Sequence, residues 1–288
     1  MQASIFTQYL LPLALAFIMF GMGLSLIKAD FTRLLYAPKA VIIGLFGQLI
    51  LMPLIAFLIA SFLGLSAELA IGLMILAACP GGTTSNVISQ LTRANLALSV
   101  TLTGFATLIC VFSTPWLIEF AINQFGQETH VQFSLADTSL GLVCITLVPV
   151  LMGIWVRSRW EMAAVRKEVH FRRFSLLFMI AMIIAVVIQE RATLVDYFQQ
   201  VFLAALLLNL GSIALGVLIA KLAGLDRRDQ TTLGIEVGIQ NASLAILIAV
   251  TYLHNSEYAT TAGVYGLTMY IGAAALVLWT RLTSKPTH

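Results

Sequence analysis

The chain is poor in charge: 13 acidic and 16 basic residues among 288, so charged residues make up 10%. A soluble domain carries roughly 25%, so this chain lacks the side chains to cover a water-facing surface of ordinary size. It has three cysteines, Cys79, Cys110 and Cys144, all inside apolar stretches. An odd number without CxxC spacing excludes a disulfide framework and a cysteine metal site, and small apolar packing is their reading. The four histidines, His130, His170, His254 and His288, lie in or beside polar breaks, so none suggests an intramembrane ligand. A net charge of +3 gives no support to a nucleic-acid partner.

What the chain has is apolar length. Apolar residues make up 60% and the mean hydropathy is +0.97. Runs near the roughly 20 residues that span a bilayer recur at about 5–27, 41–63, 69–91, 95–120, 137–156, 174–189, 198–220, 231–253 and 259–280. These predict an all-α polytopic membrane protein of nine transmembrane helices, since the runs are too long for barrel strands and helices satisfy their own backbone in lipid. The first run has no basic segment before it and reads as a retained span, not a signal peptide. The longest connections, 121–136 and 157–173, are too short for a domain, which places function within the membrane.

Basic residues orient the spans. With nine crossings, fifteen of the sixteen Lys and Arg fall on one side, and Arg191 stands alone on the other. The N-terminus is then outside and the C-terminus cytoplasmic.

Two spans break their own pattern. Span 3 is interrupted by Pro80-Gly81-Gly82, followed by Thr83-Thr84-Ser85-Asn86, residue types that cap a new helix. Span 8 carries Glu236-Val237-Gly238-Ile239-Gln240-Asn241 in the equivalent place, and Glu236 is the one acid well inside an apolar run. An odd offset of five spans makes the two run in opposite directions, the pattern of inverted-repeat transporters. Spans 1–4 would match spans 6–9. The first half-helices end in free carbonyls suited to a cation, and the second halves begin with free N–H groups suited to an anion. Gln48 and, one turn apart on span 4, Ser99 and Thr103 add neutral oxygens. Taken singly each polar residue has a bland role in helix packing. Together they point to a hard alkali cation beside an organic anion. Protonation of Glu236 in a proton-coupled carrier is the alternative. An intramembrane hydrolase lacks a second acid, His or Lys within a span, and no pore-lining charge pattern points to a channel.

These motifs, with Phe20-Gly21-Met22-Gly23-Leu24, Pro53 and Ala97-Leu98-Ser99-Val100, resemble the bile acid:sodium symporter family over essentially the whole chain. The resemblance implies a bacterial nine-span form in the inner membrane. A core domain of about 41–120 and 198–280 would hold the broken, crossing helices of spans 3 and 8. A panel domain of about 5–27 and 137–189 would pack against it. It also implies two sodium sites, one from Ser85, Asn86, Ser99, Thr103 and Glu236, the other from Gln48, Gln240, Glu236 and the carbonyls of Val237 and Ile239. Thr83 and Asn241 would touch the substrate anion. No catalytic residue and no organic cofactor is expected. Ala242-Ser243 and Thr268-Met269-Tyr270-Ile271-Gly272 depart from the bile-acid-binding members, which favours a small 2-oxo or hydroxy monocarboxylate over a bile acid or steroid conjugate.

Overall fold

The computed structural model describes residues 9–126 and 133–283. His130 and His288 therefore lie outside the described residues. Every regular element among them is helical: α1 (Leu11–Ser25), α2 (Lys28–Tyr36), α3 (Pro38–Phe62), α4 (Ala67–Ala78), α5 (Thr83–Leu91), α6 (Leu96–Phe125), α7 (Leu135–Arg159), α8 (Glu161–Gln189), α9 (Arg191–Leu222), α10 (Arg227–Gly238), α11 (Ala242–Tyr252) and α12 (Tyr258–Thr283). Six are long and apolar enough to cross a membrane, and seven if α1 and α2, bent 61° apart, count as one span. The nine apolar runs outnumber these because the third and eighth are each split into two helices, none of which qualifies alone.

Local chemistry explains the breaks and bends. Leu26 and Ile27 are extended between α1 and α2, and the Ile27 N–H donates to the Asp30 carboxylate at 2.8 Å, starting a new helix. The π-turns at Gly47–Leu51 in α3 and Val143–Leu147 in α7 immediately precede Pro53 and Pro149. Proline offers no N–H and crowds the preceding turn, so the backbone widens there. The segment 157–173, expected as a loop, is helical on both sides of Trp160. Its charged residues are good helix formers, and Glu168 and Arg172 pair one turn apart.

Close approaches at small residues hold the helices together: α1 lies against α7 where Gly23 and Gly153 leave no room for a Cβ, and against α8 through Phe17, Phe20 and Phe171. Likewise α9 packs on α10 at Gly216 and Gly234, and α4 on α12 at Gly72 and Tyr258. Cys79 and Cys110 are buried as packing residues, but Cys144 is exposed, because it falls on the outer face of the α7 π-turn. Around the breaks almost everything is buried: every residue from Leu233 through Ala249 lies in the interior. The polar groups of α10 and α11 must therefore find partners within the protein.

Candidate functional site

The two helix breaks meet backbone to backbone. Gly81 and Gln240 form an isolated antiparallel bridge. The Asn241 N–H donates to the Pro80 carbonyl at 3.0 Å, and the Gly82 N–H to the Ile239 carbonyl at 3.3 Å. The exposed ends of one broken helix are thus satisfied partly by the other. Side chains hold the remaining ends. The Thr114 hydroxyl donates to the Ala78 carbonyl at 2.6 Å. Asn209 Nδ2 and the Tyr265 hydroxyl both donate to the Gly238 carbonyl, each at 2.8 Å.

Capping differs from the sequence expectation. Gly82 is the N-cap of α5, and no side chain caps it. Thr83 is already in the first turn, and the Ser85 hydroxyl turns back to donate to the Gly82 carbonyl at 2.9 Å. The bridge to Gln240 forces Gly82 into the cap position ahead of the better capping residues. In α11 a side chain does cap the helix: Asn241 is the N-cap and its Oδ1 accepts from the Leu244 N–H at 3.1 Å.

Five predicted oxygen donors come together on one side of the breaks. Glu236 is fully buried. Its Oε1 accepts from Ser99 at 2.5 Å and its Oε2 from Thr103 at 2.7 Å. Asn86 Oδ1 lies 2.9 Å from the Ser99 hydroxyl, and the Ser85 and Thr103 hydroxyls are 3.5 Å apart. The α6 helix supplies Ser99 and Thr103 from successive turns, α5 supplies Ser85 and Asn86, and α10 supplies the carboxylate. Each hydroxyl has one proton. Ser99 faces both Glu236 and Asn86, and Thr103 faces both Glu236 and the Ser99 carbonyl at 3.0 Å. The cluster thus holds more oxygen acceptors than protons to satisfy them. A hard cation relieves that shortage.

The other side holds Gln48, Gln240, Val237 and Ile239. Among the described residues, Gln48 is buried with neither amide atom hydrogen-bonded, and Gln240 Oε1 has no donor. Gln240 Nε2 donates to the Val237 carbonyl at 2.9 Å. The Val237 and Ile239 carbonyls keep a second lone pair each. Gly81 stands among these groups: a Cβ on it would lie 3.2 Å from Gln48 Nε2, 3.3 Å from Glu236 Oε2 and 3.5 Å from the Ile239 carbonyl oxygen. Orphaned buried oxygens around a space that only glycine leaves open also fit a small hard cation.

Thr83 and Asn241 line one small cavity of about 20 Å³ with Gly82 and Gln240. Thr83 and Asn86 also line a larger one of about 240 Å³, which reaches Arg157, Glu168 and Arg172. Met269 and Tyr270 line neither cavity; Met269 is buried. Three contributors escaped the sequence reading. Ser89 donates to Ser99 at 3.0 Å. Its position one turn after Ser85 was the available signal. Asn209 is an amide inside the apolar run 198–220, the same signal that singles out Gln48. Arg157 carried no such signal, because it ends a span in a basic segment.

A model described as the Sodium Bile acid symporter family matches residues 12–197. Among similar proteins is the uncharacterized sodium-dependent transporter YocS of Bacillus subtilis (strain 168), 37% identical over 239 residues, covering 83% of this chain and 73% of the relative. The probable sodium/metabolite cotransporter BASS2, chloroplastic, of Oryza sativa subsp. japonica is 28% identical over 279 residues, 97% of this chain and 65% of the relative. The ileal sodium/bile acid cotransporter of Homo sapiens is 23% identical over 246 residues, covering 85% and 70%.

Proposed function

The chain belongs to the sodium bile acid symporter family, and we propose that it is a sodium-coupled symporter of an organic anion working by alternating access. The observation that carries this reading is the place of Glu236. One carboxylate oxygen faces Ser99, the other faces Thr103 and the Gly81 space beside Gln48. A single buried charge therefore touches both oxygen clusters, as two sodium ions sharing one acid require. The set of neutral oxygens favours desolvated Na⁺ over a proton, which needs only one acceptor.

The membrane arrangement follows from the same reading. Helices α4 with α5 and α10 with α11 are each one broken span, giving nine crossings with the N-terminus outside. The two broken spans cross at the Gly81–Gln240 bridge. The pairing of Ala78 with Thr114 and of Gly238 with Tyr265 supports inverted repeats, since spans 4 and 9 then serve equivalent ends. The group of α1, α7 and α8 is the panel, and α3–α6 with α9–α12 is the core. The membrane is a bacterial inner membrane.

Thr83 at the first turn of α5 and Asn241 Nδ2 at the start of α11 bind the anion, helped by two positive helix ends. The departures at Ala242-Ser243 and Thr268-Met269-Tyr270-Ile271-Gly272 from the bile-acid-binding members favour a 2-oxo or hydroxy monocarboxylate. Purified protein in liposomes, given a sodium gradient and labelled pyruvate, a short hydroxy acid and taurocholate, tests the reading. Gradient-driven uptake of a small acid supports it. Uptake of any panel member that follows a proton gradient at fixed sodium overturns it.

A further inference from the structure

The larger cavity has a cationic end that the Thr83–Asn241 contacts do not use. Arg172 has an acid of its own, Glu168, 3.8 Å away and one turn back. Arg157 is placed differently. Its side chain is 17% exposed, and its Nη2 lies 3.6 Å from Glu161, an acid that is itself 74% exposed. Its Nε is buried without a hydrogen-bond acceptor among the described residues. Asp30 also acts on Arg157, but it is shared with Arg33 and already accepts from the Ile27 N–H. Arg33 Nε likewise has no acceptor. Arg157 thus lines the cavity with a planar guanidinium fork whose one acidic contact among the described residues, Glu161, is solvent-exposed, and that fork is the shape that matches a carboxylate.

We propose that Arg157 is a second anion subsite of the transport path, holding the carboxylate of the organic anion at the mouth of the cavity. This rests on the symport reading above and adds a step to it. While two Na⁺ are bound, the Thr83–Asn241 position is attractive to an anion. Once they leave, Glu236 stands beside it with its charge uncompensated and repels it. Of the two cations on the larger cavity's wall, Arg172 is paired within its own helix with Glu168, which leaves Arg157 to receive the anion. Thr83 lines both the small cavity shared with Asn241 and the cavity of about 240 Å³ that reaches Arg157, so the two positions adjoin at its side chain. Release is thereby guided, and capture from the Arg157 face uses the same contact in reverse.

The test uses the full chain in liposomes of known orientation, with the panel acid that the wild type takes up fastest under a sodium gradient. KM is measured separately from the face bearing Arg157 and from the opposite face, for the wild type, Arg157→Gln, Arg157→Lys and the exposed control Arg166→Gln. Losing a hydrogen-bonded charge partner costs about ten- to hundredfold in affinity. Arg157→Gln is expected to raise KM by that factor from its own face, with the sodium half-saturation unmoved. Arg157→Lys should recover part of the loss, because it keeps the charge and not the fork. Arg166→Gln should match the wild type. An unchanged KM in Arg157→Gln overturns the subsite, as does an equal loss of rate at both faces. A wild type that moves no panel acid under a sodium gradient overturns the symport reading and the subsite with it.

Discussion

A Cβ placed on Gly81 would sit 3.3 Å from Oε2 of Glu236, inside the space bounded by Gln48 and the Ile239 carbonyl. That distance is tight for a real contact, so the glycine leaves a volume open beside a buried acid. Gly81→Ala should fill the second cation site while leaving Ser85, Asn86 and Ser99 in place. Overpacking costs about 1–3 kcal/mol, which corresponds to roughly five- to hundredfold in sodium affinity. Sodium activation curves should shift to higher concentration and lose sigmoidicity. An unshifted curve would remove the second site from this space.

Glu236 is the charge that both clusters share, and Glu236→Gln keeps its shape without it. The variant should fold, because the amide oxygen still accepts from one of Ser99 and Thr103 and the amide NH2 can donate to the other hydroxyl's oxygen. Sodium-driven uptake should fall below detection. Uptake that persists in Glu236→Gln and still follows the sodium gradient would show that the cations bind elsewhere.

Much of this site was legible in the sequence, because breaking a membrane helix needs rare residues in rare places. Pro80-Gly81-Gly82 and a lone acid in an apolar run stand out against their surroundings. What could not be read was the pairing of the breaks. The bridge from Gly81 to Gln240 depends on how two distant spans pack, and it moved the α5 cap to Gly82. The π-turns before Pro53 and Pro149 were equally hidden, since proline reports a distortion and not its form. Arg157 was hidden for the opposite reason: basic residues at span ends are common, and only its burial sets it apart.

Charge counting gives a voltage dependence. On the proposed stoichiometry, two sodium ions, one carboxylate and one monoanion leave the loaded site neutral, whereas the empty site carries one negative charge. Each cycle then moves one net positive charge inward, worth roughly 2.3 kcal/mol per 100 mV. Uptake of a monoanion into liposomes should accelerate when a potassium diffusion potential makes the lumen negative. A rate indifferent to potential would contradict the two-to-one stoichiometry.

The proposed nine-span topology predicts opposite faces for Glu257 and Arg166. Single cysteines introduced there, in a background with Cys79, Cys110 and Cys144 replaced by alanine, should react with an impermeant maleimide from different sides of intact cells. Glu257 should label from outside and Arg166 only after permeabilisation. Labelling of both from one side would require an even number of crossings between them and end the model.

Thr83 offers the cleanest test of the anion site, because it caps nothing. Asn241 also holds the Leu244 N–H, so its loss mixes a helix-capping defect with any loss of ligand. Thr83 makes no such contact, and Gly82 stands in the cap position before it. Thr83→Ala should therefore remove one hydrogen bond to a charged group, about 1.5–3 kcal/mol, and raise the KM for a small carboxylate roughly ten- to hundredfold. Sodium binding in the absence of anion should be unchanged, since Ser85 and Asn86 remain on the next positions of the same turn. Substrate size can be read from competition in the same assay. Ala242-Ser243 and Thr268-Met269-Tyr270-Ile271-Gly272 are the positions at which the chain departs from the bile-acid-binding pattern, so a compact acid should displace labelled substrate better than a steroid conjugate. Tighter binding of taurocholate than of pyruvate or a short hydroxy acid to the sodium-loaded protein would reverse that assignment while leaving the sodium sites as they are.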